Sequence, residues 1–185
     1  QSFEVVCNRS KSATLDFHIN HKSEILNLKF RMSIRFIKWD NWSRKSHCSH
    51  VAHRRLWESE IVAIHDHDFP ECFIVEGGEG YQIVNGRRQD LLKNDLVLIR
   101  PGDVHEIRAK HSAELAFTNL AFNPDSLRFI ADRYFNADYR FWNGDQDVPR
   151  RVRLSDTKAG VLLNHLRHLA VRPESMLALE AFLIG

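Results

Sequence analysis

Cysteine is scarce in this sequence, and its spacing indicates neither disulfides nor a cysteine-bound metal. The 185 residues include only Cys7, Cys48 and Cys72, an odd number with no CxxC pair. This argues against a disulfide framework and against a cysteine zinc knuckle, and it suits a reducing cytoplasm. The chain also lacks any run of about 18 apolar residues and does not open on a signal segment. We therefore expect a cytoplasmic protein without a membrane partner.

Net charge is also low. The 26 Lys and Arg against 24 Asp and Glu leave +2 at pH 7, which gives no indication of a nucleic-acid surface. A composition of 43% hydrophobic and 27% charged residues is typical of a soluble globular protein, and the length favours one domain. Residues 1–55 hold 11 Lys and Arg but only 4 Asp and Glu. We interpret this excess as a solvated strand face rather than as a surface for an acidic partner.

Before residue 122 the chain has the pattern of β-strands. LNLKFRMSIRF, residues 26–36, alternates apolar and polar residues, which predicts a strand with one buried face and a cationic outer face. Residues 41–55 have no clear period and are interpreted as a connection. Turn residues, including GGEG and the hairpin signal Asn85-Gly86, then separate short strands at 56–67, 71–76, 80–84, 87–92, 96–99, 104–109 and 114–122. Many short strands of this kind predict a sandwich or a barrel.

Helices are expected after residue 122. Pro124 can open a first helix, with Asn123 or Asp125 as its cap. A second helix begins at Ser155 or Asp156.

One face of the second helix carries a stripe of leucines, Leu162, Leu166 and Leu169. Such a stripe can pack onto a barrel or form a dimer seam, and the sequence leaves both open. A third helix begins near Pro173, and its apolar pattern runs to Gly185. We therefore expect the protein to continue beyond this residue.

Residue types that bind metals lie together in IHDHDFPECFIVEGGEG, residues 64–80. His65, His67 and Glu71 share one parity, so on a strand they face the same side as Ile61, Ala63, Phe69, Phe73 and Val75. His105 lies two strands further on and could reach the same cavity of an antiparallel barrel. Three imidazoles and a carboxylate suit one divalent transition metal such as Zn, Mn, Fe or Ni. A hydrogen-bonded polar lining without metal is the alternative.

Other residues could complete a ligand-binding lining. Trp57 could stack on a sugar ring, provided that no bulge separates it from His65, although it could equally be a core residue. Arg55 or Arg100 could hydrogen-bond hydroxyl groups or a phosphate together with His105. The ligand-binding set expected from the sequence is therefore Arg55, Trp57, His65, His67, Tyr81, Arg100 and His105.

Two segments resemble the cupin motifs. HDHDFPECFIVEGG is similar to the first motif, with two histidines separated by one residue, a glutamate after three more, and Gly78 seven residues beyond it. NDLVLIRPGDVH resembles the second motif, which ends in its histidine. ELAFTNLAFNPDSLRFI and the two leucine-rich helices after it are similar to the sensor half of AraC-family transcriptional regulators. HDHDFPE is also similar, more narrowly, to the branch that includes the chitobiose-operon regulator.

This resemblance implies a mainly β fold. Residues 1–122 would contain the N-terminal strands and a cupin-type double-stranded β-helix, or jelly-roll barrel, and residues 123–185 would form two or three α-helices. The barrel of such a protein binds a small effector, often a sugar, and its helices form a homodimer contact. A DNA-binding unit with two helix-turn-helix elements would follow Gly185, and DNA would be bound only through that unit. The basic strand at 26–36 lies outside the resemblance.

Four positions depart from the pattern of cupin enzymes, although the histidines and the glutamate are kept. Ser59 and Asn94 stand where glycines open the two motifs, Arg100 takes the place of the usual proline, and Ala109 that of the trailing asparagine. We therefore predict an effector-sensing and dimerising domain rather than a catalyst. A metal-dependent cupin enzyme, either a dioxygenase or a sugar isomerase, is the alternative.

Overall fold

The structure is a computed structural model that describes residues 34–58, 60–135 and 147–184. In these residues a strand-rich part is followed by helices, which confirms the predicted fold class. The elements are β1 Arg35–Ile37, α1 Trp39–Trp42, β2 Ser49–Leu56, β3 Ile61–His67, β4 Glu71–Val84, β5 Arg87–Leu92, β6 Asp95–Ile99, β7 His105–Ala109, β8 Leu115–Phe122, α2 Pro124–Tyr134, β9 Arg151–Arg153, α3 Asp156–Ala170 and α4 Met176–Ile184.

The described strands form two sheets that share β4, a strand of 14 residues. The first part of β4 pairs with β6 and β8, and its second part pairs with β5 and β7. One sheet therefore has the order β1-β3-β7-β4-β5, and the other has the order β2-β8-β4-β6-β9. Because one strand belongs to both sheets, the sheets curl into a barrel whose inner faces oppose each other.

The break predicted at GGEG is wrong, because β4 continues through it. The strand changes partners there, and its register against β8 shifts between Val75 and Gly77. Gly78 has a φ of +79°, and a Cβ added to it would lie 1.8 Å from the carbonyl oxygen of Glu114. Glycine thus allows the two backbones to approach each other and lets one strand pass from one sheet into the other.

The connection predicted for residues 41–55 is found only at residues 43–48, because residues 49–55 belong to the strand β2. β2 pairs with β8 along its whole length, from Ser49 opposite Phe122 to Leu56 opposite Leu115. Its sequence SHVAHRRL places histidine and arginine on both faces. Neither face is therefore uniformly apolar, and the sequence lacks the alternation of apolar and polar residues that indicates a half-buried strand.

Most of the basic strand predicted at 26–36 lies outside the described residues. Of its last residues, Arg35 is exposed and lines a cavity, whereas Phe36 is 52% exposed. The predicted orientation, with arginines outside and apolar residues buried, is therefore wrong for Phe36. The reason is the register of β1 against β3, in which Arg35 is aligned with the inward-facing His65.

The hairpin turn and the helix caps predicted from the sequence are found in the structure. Asn85 and Gly86 have φ values of 50° and 75°, as the predicted type I′ hairpin between β4 and β5 requires. α2 begins after Asn123, whose side chain accepts hydrogen bonds from two backbone amides. Ser155 caps α3 in the same manner.

The leucine stripe of α3 packs onto the outside of the barrel. Leu166 and Leu169 are 2% and 1% exposed in a cluster that includes Leu120 and Phe122 of β8, and Leu162 packs against this cluster. Of the two possibilities that the sequence leaves open, the structure shows packing onto the barrel, since Leu166 and Leu169 are already buried within the chain. Among the described residues, no helix has the length and apolarity that crossing a membrane requires.

We expect Gly78→Ala to destabilise the fold by about 2 kcal/mol or more. A left-handed backbone alone costs a non-glycine residue roughly 1–2 kcal/mol, and the new methyl group would overlap with the carbonyl of Glu114. Gly77→Ala is the matched control, since a Cβ there meets nothing within 4 Å. Urea unfolding followed by circular dichroism measures the difference. Equal stability of the two variants would contradict the role given to Gly78.

Candidate functional site

Two histidines of β3 face the barrel interior because this strand contains a bulge. The pairing of β3 with β7 shifts register between Val62 and His65. Before the shift, Val62 packs against the core and Ile61 is 48% exposed; after it, His65 and His67 are buried. The predicted common face is therefore wrong for Ile61, whereas Ala63 lines a cavity together with His65 and both histidines face inward.

His105 of β7 lies directly opposite His65 in this ladder. The ring centroids of His65 and His105 are 4.3 Å apart, and those of His67 and His105 are 5.4 Å apart. Each side chain offers one ring nitrogen, and the three nitrogens all lie within 4.8 Å of one another. Antiparallel pairing of β3 with β7 thus brings together three imidazoles that are far apart in the sequence.

Backbone carbonyls orient two of these imidazoles. Nδ1 of His65 donates to the carbonyl of Ala63 at 2.8 Å, and Nδ1 of His67 donates to that of Phe69 at 2.6 Å. These bonds leave each Nε2 with its lone pair available to a ligand. Among the described residues, the buried Nε2 of His67 and both ring nitrogens of His105 have no hydrogen-bond partner. Because buried polar atoms are rarely left unpaired, the cluster has the character of a binding site.

Burial keeps the three imidazoles neutral. It lowers the pKa of His65 below the ordinary value of 6.5, lowers the pKa of His67 to about 4 and lowers the pKa of His105 well below 6.5. The positive charge of one ring would also disfavour charge on the next, as His65 and His67 do for His105. Neutral imidazole is the form that binds metals and that can both donate and accept hydrogen bonds.

Glu71 lies beside His67 at the inner end of the cluster. Its Oε2 atom is 3.3 Å from Nε2 of His67, and the side chain of Asn119 donates a hydrogen bond to the carboxyl group. Burial raises the pKa of Glu71 to about 8, so the group keeps its proton at neutral pH unless a cation binds. Glu71 belongs to β4, and the turn at residues 68–70 brings it to the histidines.

A cavity of about 240 Å³ opens beside this cluster, between the two sheets. His65, His105, Glu71 and Asn119 form its polar part. The rest of the lining is mainly apolar and aromatic, with two arginines, and consists of Ile37, Trp42, Ala52, Val62, Ala63, Ile64, Phe69, Ile107, Phe117, Arg35 and Arg54. A concave and mostly apolar wall with a few polar groups is typical of a small-molecule site.

A comparison with protein families agrees with this geometry. Residues 51–183 match the family model described as the AraC-like ligand binding domain. The match covers most of the chain and includes all three histidines and Glu71. The chain belongs to this AraC-like family.

Three known proteins illustrate the relationship. The HTH-type transcriptional activator RhaS of Escherichia fergusonii is 33% identical over 97 residues, which are 48% of this chain and 34% of that protein. The chain therefore spans about a third of the length of this curated relative. The structure of ToxT from Vibrio cholerae O395 shares the fold with a TM-score of 0.55 and 10% identity, covering 74% of this chain and 54% of that one. A cupin protein from Bacteroides fragilis is similar with a TM-score of 0.40 and 20% identity, over 41% of this chain and 66% of that one.

Arg55 and Trp57 were predicted from the sequence to bind the ligand. In this AraC-like domain they lie outside the cavity. Arg55 is on the outer face of β2 and forms an ion pair with Glu114 at 2.7 Å. Trp57 follows the end of β2 and is 57% exposed. Trp57 lies in the turn between β2 and β3, so the strand parity on which its placement depended does not extend to it. Neither residue lines the 240 Å³ cavity.

Tyr81 and Arg100 also lie away from the cavity. The guanidinium of Arg88 stacks on the Tyr81 ring, 3.9 Å from its centroid. Arg100 forms an ion pair with Asp103 at 2.8 Å. Both predicted ligand residues are thus engaged in contacts elsewhere on the barrel.

Several lining residues were not predicted from the sequence, among them Trp42, Arg35, Arg54 and Asn119. Trp42 stacks on Phe69, with ring centroids 5.1 Å apart and planes 14° apart, but it follows β1 in a segment interpreted as a connection. Arg35 and Arg54 come from strands that were predicted with the wrong orientation or not at all. Asn119 could have been recognised from the sequence, because it is a polar residue in the apolar run LAFTNLAF.

The three histidines have the geometry to hold a metal ion. Two nitrogens bound to one Zn²⁺ at about 2.1 Å can be at most about 4.2 Å apart. The nitrogens of His65, His67 and His105 all lie within 4.8 Å of one another, so they would move closer together around a bound ion. Their unpaired lone pairs and neutral state fit a divalent transition metal, with Glu71 adjacent to His67.

The raised pKa of Glu71 predicts a pH-dependent stability in the absence of metal. The folded-state pKa of about 8 is above the ordinary value of 4.5, so between these values the folded protein binds one proton more than the unfolded chain. The free energy of unfolding therefore falls as the pH rises from 4.5 to 8. Glu71→Gln removes this titration. The difference in free energy of unfolding between this variant and wild type should therefore be more favourable to the variant at pH 8 than at pH 5, by on the order of 3 kcal/mol.

Urea unfolding in EDTA at the two pH values measures this difference. Glu79→Gln is the control, because Glu79 is an exposed carboxylate paired with Lys110. Its substitution should change the free energy of unfolding by the same amount at both pH values. A Glu71→Gln variant whose stability relative to wild type is the same at pH 5 and pH 8 would show that Glu71 is ionised in the folded protein.

Proposed function

We propose that this chain is the effector-sensing domain of an AraC-type transcriptional regulator and that its effector binds in the 240 Å³ cavity. The observation that carries the proposal is the cluster of neutral imidazoles beside this cavity. His65 and His105 line it, and Nε2 of His67 and both ring nitrogens of His105 have no hydrogen-bond partner among the described residues. A polar ligand satisfies these atoms in a way that an apolar one cannot.

The proposed effector is a sugar or a sugar derivative. The stacked rings of Trp42 and Phe69 offer an aromatic wall, and His65, His105 and Asn119 offer hydrogen-bonding atoms on the same cavity. A sugar ring has an apolar face and a hydroxylated edge, which match these two parts of the lining. A volume of about 240 Å³ is below the range of roughly 300–1,000 Å³ for drug-sized ligands, so it suits a molecule with one ring.

Effector binding would reach the helices through β2. Ala52 and Arg54 of β2 line the cavity, and α3 packs against the same strand. Just before β2, the amide of Cys48 donates to the carbonyl of Pro173 at 2.7 Å, and its thiol donates to that of Glu174 at 3.3 Å. A ligand that prefers one position of β2 therefore biases the positions of α3 and α4, which is a shift between two populations.

The whole protein is proposed to bind DNA through a part outside this chain, as the name of the HTH-type relative suggests. Homodimerisation is proposed through the exposed apolar residues of the α3–α4 region. Val171 and Leu177 are each 75% exposed and Ile184 is 52% exposed, and a second copy would remove this apolar surface from water. We place the protein in the cytoplasm.

A calorimetric screen of sugars, amino sugars and their phosphates should identify a ligand. Trp42→Ala and His105→Ala should each weaken its binding by about tenfold or more, because they remove an aromatic wall and a buried hydrogen-bonding group. Trp57→Ala is the matched control, since this tryptophan is exposed and outside the cavity. Loss of binding in Trp57→Ala, with none in Trp42→Ala, would place the effector elsewhere.

A divalent transition metal, Zn, Mn, Fe or Ni, is proposed as a resident of the three-histidine cluster, with Glu71 as a further ligand. In a sensing domain the ion would hold the effector's oxygen atoms and stiffen the barrel. The complete donor set also keeps a second candidate function open, a metal-dependent cupin dioxygenase or sugar isomerase, in which the ion would act as a Lewis acid.

Elemental analysis of purified protein tests the metal site, and an assay for turnover separates the two functions. We expect about one ion per chain, lost in His65→Ala and in His105→Ala, because each removes one of three ligands. His53→Ala is the control, since His53 pairs with Glu76 outside the cluster. Iron or manganese with turnover of a sugar or an aromatic substrate would favour the enzyme, whereas retention of the metal in both cluster variants would contradict the site.

A further inference from the structure

We infer that the effector is an acid, a small hydroxylated molecule whose carboxylate or phosphate group is held by Arg35 and Arg54. This inference rests on the proposed function and narrows its ligand class. Both arginines line the 240 Å³ cavity together with His65 and His105. They approach it from different sheets, since Arg35 is in β1 and Arg54 is in β2.

Pairing registers explain why both arginines face the cavity. Arg35 is aligned with His65 across the parallel β1–β3 pair. Arg54 lies opposite Phe117 in the β2–β8 ladder, two residues from Ala52, and all three line the cavity. Residues aligned in this way share one face of a sheet. The fold therefore places both arginines on the cavity lining, although both residues remain exposed to solvent.

The two arginines differ from the other strand arginines in having no carboxylate partner among the described residues. Each of the other six strand arginines that the structure describes has a carboxylate oxygen within 4 Å: Arg55, Arg87, Arg88, Arg108, Arg151 and Arg153. Guanidinium groups stay charged at every physiological pH. The mouth of the cavity thus carries two positive charges that the described residues leave unneutralised.

The deeper part of the cavity selects for hydroxyl groups. Oδ1 of Asn119 is buried and accepts no hydrogen bond among the described residues, so it requires a donor from the ligand. The aromatic wall of Trp42 and Phe69 lines the same cavity and offers a surface on which a ring can stack. Uronic acids, aldonic acids and sugar phosphates combine the three features, because each has hydroxyl groups and one anionic end.

Titration calorimetry with matched probes tests this inference. Glucose, galactose and mannose are each compared with their uronic acid and with their 6-phosphate, in a buffer of low ionic strength. In at least one series the acid or the phosphate should bind about tenfold or more tightly than the neutral sugar, as charge-assisted hydrogen bonds to arginine require. The tighter of the two anionic probes tells carboxylate from phosphate.

Substitution of the arginines supplies the second arm. Arg35→Gln and Arg54→Gln should each reduce the preference for the anionic probe by about tenfold without lowering the affinity for the neutral sugar. Arg128→Gln is the control for loss of one charge, because Arg128 is exposed on α2 and pairs with Asp125. Thermal unfolding of each variant checks that the fold is kept, and added salt should weaken only the anionic probes.

The outcomes separate this inference from the proposed function. Equal binding of neutral and anionic members, unchanged in Arg35→Gln and Arg54→Gln, overturns the anionic effector and leaves the sensing function standing. Binding of neutral sugars alone would likewise overturn the anionic effector and leave the sensing function standing. No binding of any member overturns the inference for monosaccharides, and it counts against the proposed sugar effector as well.

Discussion

The two sheets of this domain depend on one strand that pairs in both of them. β4 contributes its first residues to one sheet and its last residues to the other, and its side chains are buried on both faces near its start. Gly78 makes this possible, since its lack of a side chain lets the backbone pass within contact of Glu114. Because both sheets share a covalent strand, the barrel cannot open without breaking two ladders, and the space between its inner faces is retained as a cavity.

Polar groups inside such a barrel are costly unless something pairs with them. The structure pairs Nδ1 of His65 and His67 with backbone carbonyls, yet it leaves both nitrogens of His105 and Oδ1 of Asn119 without partners among the described residues. A core selected only for stability would replace these groups with apolar ones of similar shape. Their presence beside a cavity, in an AraC-like ligand-binding domain, is best understood as stability given up for recognition.

Much of the fold and part of the site could be predicted from the sequence, because they depend on local chemistry. Asn85-Gly86 requires positive φ in any context, and Asn123 caps a helix wherever Pro124 opens one. The spacing of His65 and His67 places both side chains on one face of a strand. β2 could not be recognised, since its residues face α3 on one side and the cavity mouth on the other, so neither face is uniformly apolar.

The sequence by itself determined the class of fold, the positions of turns and caps, and the residue types of the site, because these follow from the periodicity and conformational preferences of neighbouring residues. Only the tertiary structure decided which side chains meet. The bulge in β3 and the partner change in β4 reset the parity of each strand. The pairing of β1 with β3 places Arg35 on the cavity, which Trp42 also lines. A register shift of one residue reverses every side chain after it, and its energy depends on strands distant in the chain.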